Sequence, residues 1–281
     1  MILSFNPVVV ADTQIILGDR TLGAEDFALI ERAEAIILPQ SCSGELYRAC
    51  RESPALLFPD YAMRYDYEGK IGQSRLFEEM GWPHPPTFRW SSVEAFRLCT
   101  GKGSLLHPTP FFLKMDRSHE GDGIYLIQGV PDLEDALQDI SKKGNARFVS
   151  QDVVPSEGYV LRAVLLGKKI VTYWKRPTAQ GQMITTISRG SVVDETWSPE
   201  LQNKGALLAR RFSRDSGINL AALDFVFPLT EQAPEPLILE INYYFGRRGL
   251  GGSFRYYRLL LDAIREWLQE KGFDPERVSI I

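Results

Sequence analysis

The sequence predicts a mixed architecture, α/β at its N-terminal end and α+β over the rest, and three features predict it. Residues 1–86 alternate short apolar runs with amphipathic ones, the rhythm of a βαβαβ segment. From residue 87 onward, hairpin-like strand pairs and single helices replace that regular alternation. Two late apolar segments, "LAALDFVFP" and "LILEINYYF", read as strands that close a sheet, and each carries an acid among residues that bury themselves. A chain of 281 residues is long enough for one large domain or two to three small ones packed together.

Taken in order, residues 1–86 read as a small Rossmann-like βαβ domain. "ILSFNPVVVAD", "EAIILPQ" and "ALLFPDY" supply strands, and "AEDFALIERA" and "SGELYRACRE" supply the amphipathic segments between them. A helix follows in "YEGKIGQSRLFEEMG", ended by Gly81 and the "PHPP" punctuation, which sets a boundary near Pro86. Residues 87–150 form a small α+β unit: "TFRW", "SSVEAFRLC" with its N-cap serines, "PFFLKMD", a polar glycine loop, "GIYLIQG" and the acidic helix "PDLEDALQDISKKG", leading into "RFVSQDVV". Residues 151–281 form a larger unit. "GYVLRAVLLGKKIVTYWKRP" reads as a hairpin turning at "GKK", "MITTISRGSVV" as an irregular strand, and "ELQNKGALLARRFSRDSG" as a long helix stopped by Gly217. The two acid-bearing strands and the helix "YYRLLLDAIREWLQEKG" complete it.

Composition narrows the function. Apolar residues at 44% and charged residues at 24% are those of an ordinary globular protein. A formal charge of -4 and a pI near 5.6 argue against a broad grip on a nucleic-acid backbone, while leaving room for a local basic pocket that takes a small anion. Cys42, Cys50 and Cys99 lack disulfide or zinc spacing, "MILSFNPVVV" lacks a basic leader, and no apolar run approaches a membrane span. The expectation is a reduced, cytoplasmic protein without nucleic-acid or membrane partners.

The chemistry-bearing residues lie in the strands. Side chains two apart share a strand face, so Ile238, Glu240, Asn242 and Tyr244 are expected on one side and Leu237, Leu239, Ile241 and Tyr243 on the other. A desolvated carboxylate needs a cation or good hydrogen bonds over it. Asp224, flanked by apolar residues, poses the same demand. Together with Glu240 and Asn242 it makes an all-oxygen set suited to Mg²⁺ beside phosphates, or else Arg or Lys side chains neutralise these acids structurally. Lys114, inside the apolar strand "FFLKM", either snorkels from an edge or meets an anion. The loop "DRSHEGDG" brings Gly121 and Gly123, whose backbone can approach a phosphate chain or merely form a turn. Lys70 stands before the helix "IGQSRLFEE".

In sequence order, "YEGKIGQSRLFEEMGWPHPPT", "FFLKM" with its glycine loop, "FVSQDVV", "YVLRAVLLGKKIVTYWKRP", "SRG", "LAALDFVF" and "LILEIN" resemble the ATP-grasp superfamily, especially its ribosomal-protein glutamate ligase and glutathione synthetase branch. The resemblance covers roughly Asp66 to Gly252. It implies two α+β subdomains gripping ATP, preceded by the Rossmann-like domain. It implies nucleotide lysines at Lys70 and Lys114, a lid containing Glu120, Gly121 and Gly123, an adenine-binding hinge at Gln151, Asp152, Val153 and Val154, and metal ligands at Asp224, Glu240 and Asn242. Arg162, Arg176 and Arg189 match basic positions near the transferred phosphate, where a planar guanidinium binds bidentately. In "FGRRGLGG", Arg247 and Arg248 either hold a substrate carboxylate or acyl phosphate or belong to a solvated loop.

The pattern also departs from the family. Met115 stands where proline is common and Val160 where an acid contacts ribose, a place Glu157 could take. Ile184 and Thr186 replace an arginine and an asparagine at the reacting end. The function the resemblance implies is an ATP- and Mg²⁺-dependent ligase, with Mn²⁺ able to substitute. It would join a small-molecule or peptide carboxylate to an amine, or to a thiol, through an acyl phosphate, releasing ADP and phosphate. The alternatives are a small-molecule kinase on the same grasp and a nucleotide-binding scaffold that has lost turnover. A homo-oligomer is compatible with any of these.

Overall fold

The computed structural model describes residues 1–101, 106–118, 122–144, 147–179, 181–183 and 190–281. The chain opens with β1 (Ile2–Ser4), β2 (Val9–Val10), β3 (Thr13–Gln14), α1 (Ala24–Arg32), β4 (Ala35–Ile37), α2 (Gly44–Arg51) and β5 (Leu56–Phe58). β1, β3, β4 and β5 pair in parallel in the order β3-β1-β4-β5. A parallel sheet is covered on both faces, and Ile2, Leu3, Ala35, Ile36 and Ile37 are correspondingly inaccessible. The Ser43 side chain accepts the Leu46 N–H and so caps α2.

Next come α3 (Ala62–Asp66) and α4 (Gly69–Glu79). α4 sends its apolar side away from the N-terminal sheet: Leu76 and Phe77, with Trp82 just beyond, join the core of the largest sheet. Lys70 therefore sits in the first turn of α4 rather than ahead of it, because the helix already begins at Gly69.

β6 (Thr87–Trp90), α5 (Val93–Thr100), β7 (Phe111–Met115), β8 (Ile124–Ile127), α6 (Val130–Lys142) and β9 (Phe148–Asp152) follow. The strands form an antiparallel sheet in the order β6-β9-β7-β8. Phe111, Leu113 and Phe148 pack against Phe96 of α5 and Leu137 of α6 on one face. By alternation Lys114, Val149 and Gln151 point from the other.

The remaining elements are β10 (Val160–Leu166), β11 (Lys169–Arg176), β12 (Val192–Asp194), α7 (Pro199–Ser216), β13 (Leu220–Val226), β14 (Leu237–Asn242), α8 (Ser253–Glu270) and β15 (Ser279–Ile280). The first three strands with β13 and β14 make an antiparallel sheet ordered β12-β11-β10-β13-β14. Leu161, Ala163, Leu223 and Phe225 bury one face against α7 and α4. Val164, Leu166, Leu220 and Ala222 bury part of the other against α8 and residues of the N-terminal sheet. α7 ends at Gly217, whose φ of 77° is the left-handed cap that glycine adopts without strain. β15 pairs with β2, so the C-terminal strand returns to the start of the chain.

The alternation expected along β14 is broken by a bulge. Asp224 faces Glu240 but Phe225 faces Ile238, so Leu239 is the extra residue. Ile238 consequently lies with Ile241 in the core under α7, whereas unbroken alternation would have set it beside Glu240.

Candidate active site

A cleft of about 360 Å³, measured to its open mouth, lies between the small sheet and β14. α4 contributes Lys70, Gln73, Ser74 and Phe77 to its wall, the small sheet Thr87, Lys114, Val149 and Gln151, and β14 Leu239 and Glu240. α4 wedges the two sheets together. Its Gln73 donates from Nε2 to the Ile241 carbonyl and accepts the Ile241 N–H at Oε1, both at 2.8 Å. These bonds satisfy backbone groups that an edge strand would otherwise leave open. Toward the small sheet, Arg89 Nη1 donates to Ser74 Oγ at 3.3 Å.

Lys114 is only 8% exposed. Its ammonium donates to Gln151 Oε1. Gln151 Nε2 in turn donates to Thr87 Oγ1 at 2.9 Å, and the Thr87 hydroxyl donates to the Pro85 carbonyl at 2.7 Å. This chain of donors fixes the Gln151 amide and aims the lysine. Burial pushes the Lys114 ammonium down to about 8; the Glu240 carboxylate works against that shift and the Lys70 charge adds to it.

Lys70 Nζ donates to the Ser118 carbonyl at 2.8 Å and to its Oγ at 3.1 Å. Asp116 accepts the Ile71 N–H at 3.1 Å and Arg147 Nη2 at 3.0 Å, while Arg117 pairs with Glu68. The start of the glycine loop is thereby tied to the first turn of α4. Gly69 makes the approach possible: its φ is 69°, and a Cβ there would lie 2.1 Å from Asp116 Oδ1. Gly123, at φ 63°, closes the hairpin, where its carbonyl accepts the Met115 N–H at 2.8 Å. Glu120 and Gly121 lie outside the described residues.

Register brings the acids together. Arg162 pairs with Asp224, and Asp224 with Glu240, across three adjacent strands. Asp224, 3% exposed, accepts Arg162 Nε at Oδ1 and Arg162 Nη2 at Oδ2, both at 2.7 Å. Its Oδ2 also accepts Lys175 Nζ at 2.7 Å and Asn242 Nδ2 at 3.2 Å. Burial alone would raise the Asp224 carboxyl; the Arg162 and Lys175 charges outweigh it and hold the group well below the usual carboxylate range. Among the described residues, the Glu240 carboxylate makes neither a hydrogen bond nor an ion pair, although its charge acts on Lys114, Arg162 and Lys175, and no three His, Cys, Asp or Glu side chains converge as a metal cluster.

The arginines divide. Arg162 reaches the acids, but Arg176 follows Lys175 in β11 and so points from the opposite face, where it pairs with Asp194 at 3.4 Å. Arg247 lies over the Tyr256 and Tyr257 rings at 4.7 and 4.5 Å and donates to Ser253 Oγ at 3.4 Å. Arg189, Ile184 and Thr186 lie outside the described residues. In the 151–154 segment, Gln151 lines the cleft and Asp152 turns to the back of the sheet, where it meets His107 Nδ1; Val153 and Val154 are half-buried. Sequence reasoning missed Gln73, which lines the cleft, and Lys175, which is buried against Asp224. Their signals were modest: Lys175 lies on the strand that hairpins back from Arg162, and Gln73 is one helical turn from Lys70.

These sheets, with a cleft between them, have the arrangement of the ATP-grasp fold, and known structures of that fold superpose on the chain. The RimK domain ATP-grasp protein of Sphaerobacter thermophilus does so with a TM-score of 0.60 at 16% identity, over 93% of this chain and 98% of that one. The D-alanine–D-alanine ligase of Bacillus anthracis gives 0.61 at 10% identity, over 90% and 84%. By sequence, the chain is 25% identical over 150 residues to the probable alpha-L-glutamate ligases of Xanthomonas euvesicatoria and Xanthomonas oryzae, 53% of its own length. It spans about half the length of these curated relatives. No protein-family model matches it. Among the described residues no helix is long and apolar enough to cross a membrane.

Proposed function

We propose that the protein is an ATP- and divalent-metal-dependent ligase that joins a carboxylate to an amine, with glutamate as one of its substrates. The observation that carries this is the meeting of Lys70, Lys114 and Glu240 in one cleft between two sheets. Two cations suit a polyphosphate, and an acid whose carboxylate has no hydrogen bond or ion pair among the described residues suits the metal that travels with it. The substrate class comes from the relatives, whose names describe glutamate ligases.

The donor set fits Mg²⁺ at Glu240 and Asn242, both hard oxygen ligands on one strand face. Bound there, the metal would neutralise phosphate charge and polarise the transferred phosphoryl group. Lys114 and Lys70 hold the phosphates, and the hinge at residues 151–154 takes the base. A substrate carboxylate oxygen attacks the γ-phosphorus, the bond to the β-phosphate oxygen breaks, and ADP leaves. The amine nitrogen then attacks the acyl carbon, expels phosphate and loses a proton. Positioning and charge placement suffice for both steps, without a covalent nucleophile from the protein.

The test is ADP release by the purified chain with Mg-ATP and L-glutamate, against a panel of carboxylates and amines, with products weighed by mass spectrometry. Release that depends on glutamate together with a condensed product is the expected result. ADP release with a phosphorylated but uncondensed product would favour a kinase. Release with none of the pairs would refute the ligase reading.

A further inference from the structure

Behind the cleft, the small sheet carries a buried polar chain that neither phosphate nor metal binding uses. Ser150 and Asp152 are two apart in β9 and share the face opposite Val149 and Gln151, which line the cleft. His107, just ahead of β7, lies over that back face with its side chain 2% exposed. Its ring stacks on Phe111 at 5.2 Å and meets Phe88 edge-on at 5.1 Å. Nδ1 contacts Asp152 Oδ1, Nε2 lies 2.7 Å from Ser150 Oγ, and Trp90 Nε1 donates to the same hydroxyl at 2.8 Å.

An indole N–H only donates, so Ser150 Oγ accepts it and gives its own proton to His107 Nε2. Nδ1 then carries the ring hydrogen and donates it to the Asp152 carboxylate. The connectivity is that of a nucleophile triad, but Ser150 is 0% exposed, and no substrate reaches its oxygen. What the network does is hold Asp152 from behind. β9 ends at this residue, whose N–H donates to the Pro86 carbonyl at 3.0 Å. The backbone of Val153 and Val154 leaves the sheet from that fixed point.

We propose that His107 is a positioning residue for base recognition: by latching Ser150 and Asp152 it fixes the register in which the backbone of residues 152–154 meets the edge of adenine. Adenine offers a donor at N6 and an acceptor at N1, and guanine reverses both. A backbone held in one register therefore favours ATP over GTP. The inference rests on reading the cleft as a nucleotide site with its base at the 151–154 hinge.

The test is calorimetry on the full chain with ATP, GTP and inorganic tripolyphosphate, the last reading the phosphate grip alone. Wild type should bind ATP more tightly than GTP. His107→Ala, and Asp152→Ala at the 25%-exposed end of the network, should each weaken ATP roughly tenfold, narrow its lead over GTP and leave tripolyphosphate unchanged. Asp152→Asn keeps an oxygen for the Nδ1 proton and should recover most of that loss. Should His107→Ala not fold, the two Asp152 variants decide. ATP and tripolyphosphate weakened alike would make the network merely structural, and an unchanged ATP affinity would remove it from the hinge. Either result overturns the inference and leaves the proposed function standing. No ATP binding by the wild type would overturn both this inference and the reading beneath it.

Discussion

Lys114 carries the sharpest prediction at the level of single residues. Its folded value near 8 lies below the ordinary 10.5, so the folded protein binds fewer protons than the unfolded chain between those values. This group's contribution to stability therefore grows as pH rises through that window. A phosphate chain beside it restores the charge, so ATP binding should take up a proton at pH 9 (roughly one unit above the apo value) and almost none at pH 7. Calorimetry in two buffers of different ionisation enthalpy reads this directly, and Lys114→Ala should abolish the uptake and weaken ATP binding about ten- to hundredfold. The two acids should separate cleanly. Asp224→Asn leaves Arg162 and Lys175 buried without their counter-charge and should cost about 3–5 kcal/mol in denaturant unfolding. Glu240→Gln should leave apo stability nearly unchanged and shrink the Mg-ATP-induced rise in melting temperature. Equal apo losses in the two variants would refute the distinction. The shared face of Glu240 and Asn242 was legible from period-two spacing alone. Lys175 was not, because it stands beside the equally basic Arg176, and only the register of a hairpin decides which of the two meets Asp224.

Among the elements, α4 does more than its sequence suggested. It reads as a helix closing the first domain, yet it packs into the core of the large sheet and sutures the β14 edge through Gln73. No local pattern carries that information, since the partner backbone at Ile241 is 168 residues away. Gln73→Ala removes two hydrogen bonds of about 1 kcal/mol each and should cost roughly 1–3 kcal/mol. Amide exchange at Ile241 should accelerate in the variant; unchanged exchange would mean that another group satisfies the edge. The β14 bulge was likewise hidden, because Leu237, Ile238 and Leu239 are all apolar and any phase of alternation accommodates them. The hairpin of β10 and β11, by contrast, followed from its "GKK" turn, with Leu166 opposite Lys169 as expected.

Across the whole molecule, the order of strands and helices was readable because each apolar run met a clear stop, and the ordered motifs led to the ATP-grasp fold that the superpositions bear out. How the pieces meet was not readable. The C-terminal strand β15 returns to β2, and α8 shares its core with Phe58 of the N-terminal sheet, contacts made between distant segments. The central claim is that Mg-ATP enters between the small sheet and β14. Hydrogen-exchange mass spectrometry with and without saturating Mg-ATP tests it most directly. The account predicts new protection in the first turn of α4, in β7 around Lys114, in residues 148–154 and in β14 around Glu240. Protection confined to the N-terminal parallel sheet, or no change at these four segments while calorimetry reports bound nucleotide, would contradict it.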